Sequence, residues 1–225
     1  MANTQKPKQK YLKPIPITQN HKKYHMLLKD PSKKIVCCTG FAGVGKTIVA
    51  AYYACNTMYK SEHDGIVLVR SLEGCGKNPG AYPGTDLEKN EPKLRQLISY
   101  ISCYTGMSIE SLILSEKVKI CGLYDIQGMD FTNKFIIVTE AQTLTPEEMY
   151  IVLTRGGYKI VLEGDTLAKG QCTNKSLKFG EDGLSFLFST LGDLDFVGQC
   201  SLDSPDDIVR EPYIKDIILR MSQRV

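Results

Sequence analysis

Residues Gly40-Phe41-Ala42-Gly43-Val44-Gly45-Lys46-Thr47 spell the pattern G-x-x-x-x-G-K-[ST], and nothing else in the chain restricts its fold so tightly. The eight residues lie between a short apolar, β-branched run, Ile35 to Thr39, and a helical pattern, Lys46 to Tyr59. The local reading is therefore strand, tight loop, helix. Glycines let a backbone close round a phosphate, the helix start offers free N–H groups, and Lys46 adds a positive charge to the β and γ oxygens. Thr47 carries a hydroxyl in position to ligate magnesium. Four specified positions match by chance in a chain of this length on the order of 1% of the time, and the flanking strand and helix reduce that further.

The rest of the chain repeats the same alternation. β-type runs appear at Ile66 to Arg70, Val118 to Leu123, Phe135 to Thr139, Lys159 to Leu162 and Asp195 to Val197, with helical stretches between most of them. Such alternation predicts an α/β fold with a mainly parallel sheet covered by helices. Thr18 is a plausible cap for a short helix to Lys29, on which Tyr24, Leu27 and Leu28 share a face. Thr145-Pro146-Glu147-Glu148 marks a second helix start, running to about Arg155 and ended by Gly156 and Gly157. Ser71 to Asp86, broken by glycines and prolines, reads as a long loop after a strand, either functional or a tolerated surface insertion.

A length of 225 residues, 42% of them hydrophobic and 24% charged, suits one globular domain. No apolar run approaches the roughly 18 residues that span a bilayer, so the expectation is a chain neither exported nor membrane-inserted. The eight cysteines contain no Cys-x-x-Cys spacing. They read as reduced, mostly buried thiols of a cytoplasmic protein. Residues 1–34 hold nine lysines against one acid, whereas acids outnumber basic residues thereafter. Residues 1–14 read as a flexible basic tail, able to attract nucleic acid or simply to stay solvated, and residues 15–225 as the folded domain.

Phosphate chemistry of this kind needs acids at the end of a second buried strand, and Phe135-Ile136-Ile137-Val138-Thr139-Glu140 supplies the candidate. Thr139 stands where a magnesium-orienting carboxylate is expected, which leaves Glu140 to orient water or act as general base. In Leu162-Glu163-Gly164-Asp165, Asp165 is a further acid at the carboxyl edge of the sheet, where ligands bind in open α/β folds. It is available to offset Thr139; a turn carboxylate bonding local backbone is the alternative.

Taken in order, these segments resemble the PhoH-like family of P-loop ATPases, related to RecA-like helicase cores. The likeness runs from about Pro14 to Arg220 through Thr18-Gln19, the Walker A loop, Leu68-Val69-Arg70, Pro79-Gly80-Ala81-Tyr82-Pro83-Gly84 and Glu140-Ala141-Gln142. It continues through Leu153-Thr154-Arg155-Gly156, Gly164-Asp165, Asp182-Gly183-Leu184 and Asp207-Ile208-Val209-Arg210. The resemblance implies ATP and Mg2+ as cofactors and a nucleotide cradle from Gly40, Phe41, Ala42, Gly43, Val44, Gly45, Lys46 and Thr47. It implies Gln19 as the reader of the adenine edge, with an exposed polar residue as the alternative. It implies Arg155 and Arg210 near the γ-phosphate, one of them reaching a neighbouring subunit, with surface ion pairs as the alternative. Family members are thought to form rings and to act on RNA, and short stand-alone versions occur in bacteria and bacteriophages. Some carry a PIN-type nuclease domain ahead of the ATPase, where this chain has its basic tail.

The chain departs from the family pattern at Thr139, where the family has aspartate. It also has no arginine in Ile126-Gln127-Gly128-Met129, and Ala168 falls where a glutamine follows Gly164-Asp165. Two expectations follow. The leading one is a magnesium-dependent ATP hydrolase acting on RNA or single-stranded nucleic acid as a homo-oligomer, with Glu140 positioning water. The alternative is an ATP-binding assembly or regulatory protein that hydrolyses little or nothing. A small-molecule kinase shares the loop, but its arginine-rich lid and acceptor pocket are not found in the sequence.

Overall fold

A computed structural model describes residues 13–70, 86–165 and 182–222. The basic tail up to residue 12, the 71–85 stretch of the predicted loop, Ala168 and the last three residues lie outside the described residues. The elements run α1 (Gln19–Lys29), β1 (Ile35–Gly40), α2 (Lys46–Tyr59), β2 (Gly65–Arg70), α3 (Asp86–Thr105), α4 (Ile109–Leu114), β3 (Val118–Gly122), β4 (Lys134–Thr139), α5 (Pro146–Leu153), β5 (Lys159–Asp165), α6 (Gly183–Leu191), β6 (Val197–Leu202) and α7 (Pro212–Ser222).

The six strands form one sheet in the order β3-β2-β4-β5-β1-β6, and every neighbouring pair is parallel. A parallel sheet needs helical crossovers and is buried on both faces, which is why its strands read as nearly continuous apolar runs. Alternate residues divide between two cores. Val36, Cys38, Ile66, Leu68, Ile120, Phe135, Ile137 and Val161 pack with α1, α2 and α3. Ile35, Cys37, Val67, Val69, Ile136, Val138, Ile160 and Leu162 pack with α5 and α6. Full burial of side chains of this size stabilises by about 1.5–3 kcal/mol each.

The predicted starts of α1 and α5 coincide with capping boxes: Thr18 accepts from the His21 N–H, and Thr145 accepts from the Glu148 N–H while Glu148 reaches back to Thr145. α5 ends at Leu153 rather than Arg155, with Thr154 as its C-cap. Two strands differ from their sequence reading. β5 extends beyond Leu162 to Asp165, because the chain keeps its pairing with β1 through Glu163 and Gly164. β6 is Val197–Leu202, not Asp195–Val197; Gly198, Gln199 and Ser201 hide an edge strand that pairs only with β1 and so needs no unbroken apolar run.

Five cysteines (37, 38, 55, 121 and 200) are buried free thiols and Cys103 is half-buried. Burial pushes Cys37 well above the usual thiol range and Cys55 up to about 12, so these are packing groups rather than nucleophiles. Among the described residues, no helix is long and apolar enough to cross a membrane.

Candidate functional site

The loop that follows β1 turns into α2 without any side-chain cap. Gly45, with φ 87°, is the N-cap, and it makes no capping hydrogen bond. The first amides of α2 are thus left for an anion, with the positive end of the helix dipole behind them. A side chain at Gly45 would be strained by that left-handed backbone. At Gly43, with φ 78°, a Cβ would in addition sit 2.5 Å from Nε of Arg210. The Lys46 ammonium curls into the same loop and donates to the carbonyls of Gly40 at 2.8 Å and Phe41 at 2.9 Å.

The loop is anchored from outside. His21 contacts the Val44 carbonyl through Nε2 at 2.9 Å. Buried Asp207 accepts from the Thr18 hydroxyl, from Asn20 Nδ2 at 2.8 Å and from the Ser204 amide at 3.0 Å. The Val209 amide donates to the Gly43 carbonyl at 3.4 Å. One polar network therefore joins the start of α1, the turn after β6 and the phosphate loop, and it lays Arg210 against Gly43.

Facing the loop are the carboxyl ends of β4 and β5. Glu140, just beyond β4, adopts a left-handed backbone (φ 56°, ψ 37°) although it is not glycine. Such strain at a strand end often marks a residue whose direction matters. Gln142 spans the two strand ends, donating to Glu140 Oε2 at 2.7 Å and accepting from the Asp165 amide at 3.1 Å. On β5, Glu163 is 3% exposed, and its Oε2 accepts from the Thr47 hydroxyl at 2.8 Å. Its other oxygen, Oε1, has no hydrogen-bond partner. Burial raises the Glu163 carboxyl to about 7, against the Thr47 hydrogen bond and the Lys46 charge, with the Glu140 charge adding to the rise.

These groups line one cavity of about 550 Å³. Of the residues singled out in the sequence, it gathers Ala42 to Thr47, Thr139, Glu140, Asp165 and Arg210. Gly40 and Phe41 lie just before it, contributing carbonyls to Lys46. Gln19, the exposed first residue of α1, and Arg155, half-buried after α5, lie outside its lining. The sequence motifs contain Gln142 and Glu163 but give neither a role of its own. The available signal for Glu163 was an acid inside a run, Lys159–Asp165, that continues the pattern of a buried parallel strand.

Fold and loop together are those of the P-loop NTPase class. The sequence profile described as PhoH-like protein matches residues 14–222, and the chain belongs to the PhoH-like family. A PhoH-like protein of Synechocystis is 32% identical over 189 residues, covering 82% of this chain and 55% of the relative. One of Mycobacterium leprae is 32% identical over 209 residues, covering 90% and 57%. Protein PhoH of Escherichia coli K12 is 29% identical over 169 residues, covering 71% and 48%. The chain thus spans about half the length of the curated relatives it matches. Among solved structures, the SWI2/SNF2 ATPase core of Sulfolobus solfataricus, in complex with double-stranded DNA, superposes with a TM-score of 0.50 at 12% identity. That match covers 88% of this chain and 47% of the other, and it is a likeness of fold.

Proposed function

We propose that this chain binds ATP with magnesium and hydrolyses it while acting on nucleic acid, RNA foremost. The observation that carries the reading is the opposition, across one cavity, of an uncapped helix start bearing Lys46 and Thr47 and the strand end bearing Glu140. Loop amides and Lys46 take the phosphates. Glu140, oriented by Gln142, positions the attacking water. Arg210, lying on the loop, offers charge to the γ-phosphate of its own subunit. Arg155, outside the cavity, suits the same task across a subunit boundary in a ring. Gln19, two residues before the histidine that holds Val44, is the adenine reader. The lysine-rich front supplies the attraction to nucleic acid.

A second reading is favoured by Thr139: ATP fastens subunits together and is hardly cleaved. Phosphate release by the full chain, with and without RNA and with double-stranded DNA as a control arm, separates the two. Hydrolysis is expected to fall about 10²–10⁴-fold in Glu140→Gln with nucleotide binding retained. Release unchanged in that variant removes Glu140 from its role. Background release in every arm, together with ATP-dependent oligomerisation, establishes the second reading.

A further inference from the structure

The acid expected at position 139 is missing, yet the site contains a buried carboxylate that the sequence reading assigned to nothing. Val138 of β4 pairs with Leu162 of β5, so Thr139 and Glu163 are the next residues on neighbouring parallel strands, at the same height of the sheet. Glu163 in turn pairs with Cys38 of β1, the strand that runs into the phosphate loop.

We propose that Glu163 replaces the charge lacking at Thr139: its carboxylate and the hydroxyl of Thr47 are this chain's share of the magnesium site. The proposal rests on the nucleotide-binding reading above. A threonine hydroxyl has one proton and two lone pairs. Here the proton points to Glu163 Oε2 at 2.8 Å, which leaves the lone pairs free for a cation. Glu163 Oε1 is buried and unpartnered beside the cavity that holds Thr47 and Lys46. Leaving a carboxylate oxygen in that condition is costly, and such an atom in a folded protein calls for an explanation, an ion among them. Asp165, two residues further along β5, has its amide tied to Gln142; Glu163 is the acid that touches Thr47.

The donor set fits the cation. Magnesium prefers oxygen ligands and keeps waters and substrate phosphates, needing only one or two protein groups. Among the described residues no group of three or more His, Cys, Asp or Glu side chains is placed to cage a metal alone, so Glu163 and Thr47 would share the cation with the triphosphate.

The test measures binding, not turnover. Affinity of the full chain for a non-hydrolysable ATP analogue is titrated by calorimetry with magnesium and with chelator. Wild type is expected to bind more tightly with magnesium. Glu163→Gln should lose about 10-fold or more of that gain while its magnesium-free affinity holds or improves. Adding Thr139→Asp to Glu163→Gln should restore the gain, because the charge returns one strand away. A full magnesium gain in Glu163→Gln, or an equal loss with and without magnesium, overturns the proposal and leaves the nucleotide reading standing. No analogue binding by folded wild type sinks both. Should Glu163→Gln fail to fold, wild type labelled at the glutamate carboxyl carbons decides: with the analogue bound, adding magnesium must shift the Glu163 resonance more than that of Glu140, and an unmoved Glu163 resonance ends the idea.

Discussion

The phosphate loop and the strand ends opposite it do complementary work by different means. The loop is one contiguous segment, and what it offers a ligand is mostly backbone: amides of an uncapped helix, shaped by glycines at φ 78° and 87°. The opposite edge is made of side chains from β4 and β5, brought level by parallel pairing and tied by Gln142. A backbone device depends on each glycine where it stands. A side-chain device can move an acid from one strand to its neighbour, because parallel strands present their carboxyl ends side by side. The separation between Thr139 and Glu163 is one strand, which such a move requires.

The strongest way to break this comparison is to remove the one charged side chain the loop itself contributes. Lys46 donates two hydrogen bonds to loop carbonyls, and on the proposed reading a bound nucleotide would turn its ammonium to phosphate. Charge-assisted hydrogen bonds are worth about 1.5–3 kcal/mol, so Lys46→Ala should weaken nucleotide affinity about 10- to 100-fold. The loss should be of similar size with and without magnesium. Calorimetry on the same analogue reads both values. A loss seen only with magnesium places Lys46 in the acid edge's task and erases the distinction.

A smaller effect tests the claim that loop function resides in backbone shape. Gly43→Ala puts a Cβ on a left-handed residue, at about 1–2 kcal/mol, and into Arg210, whose flexible side chain can yield. Affinity should drop about 5- to 30-fold, and the melting temperature of the nucleotide-free chain should fall. The matching change on β5, Gly164→Ala, meets the buried Leu184 methyl at 2.5 Å but has no left-handed backbone to strain. It should leave affinity closer to wild type. Equal losses in the two variants count against a backbone-specific loop.

The difference between the regions also explains what could be read from the sequence. Loop, flanking strand and α2 are local, and α2 begins and ends where the pattern Lys46 to Tyr59 places it. The α/β class follows from alternation, and the caps Thr18 and Thr145 from short-range chemistry. Glu163 is hidden in the sequence because Glu-Gly-Asp after an apolar run looks like a strand ending in a turn. Only pairing with β1 reveals that the strand continues and that the acid lies against Thr47, 116 positions earlier in the chain. The tie from His21 to Val44 and the position of Arg210 on Gly43 also join distant positions and carry no local pattern. β6 escapes the apolar pattern for another reason, since an edge strand with one partner tolerates the polar residues that break an apolar run.

The two regions should also part under acid, and here the effect is smallest. The loop side rests on α1 packed against α2, where His25 is 5% exposed, contacts the Tyr53 hydroxyl at 3.1 Å through Nδ1, and leaves Nε2 without a partner. Burial, followed by the positive charge of Lys13, lowers its pKa from 6.5 to about 4. In that interval the unfolded chain binds a proton that the folded chain refuses, so the contribution is intact above the unfolded value and is lost as pH falls from about 6.5 towards 4. At pH 5 the loss amounts to about 1–2 kcal/mol. Urea midpoints at pH 7 and pH 5 should therefore differ more in wild type than in His25→Leu, which has no proton to take up. If the two chains lose stability equally, the acid sensitivity belongs to other groups, and the foundation of the loop is not what gives way first.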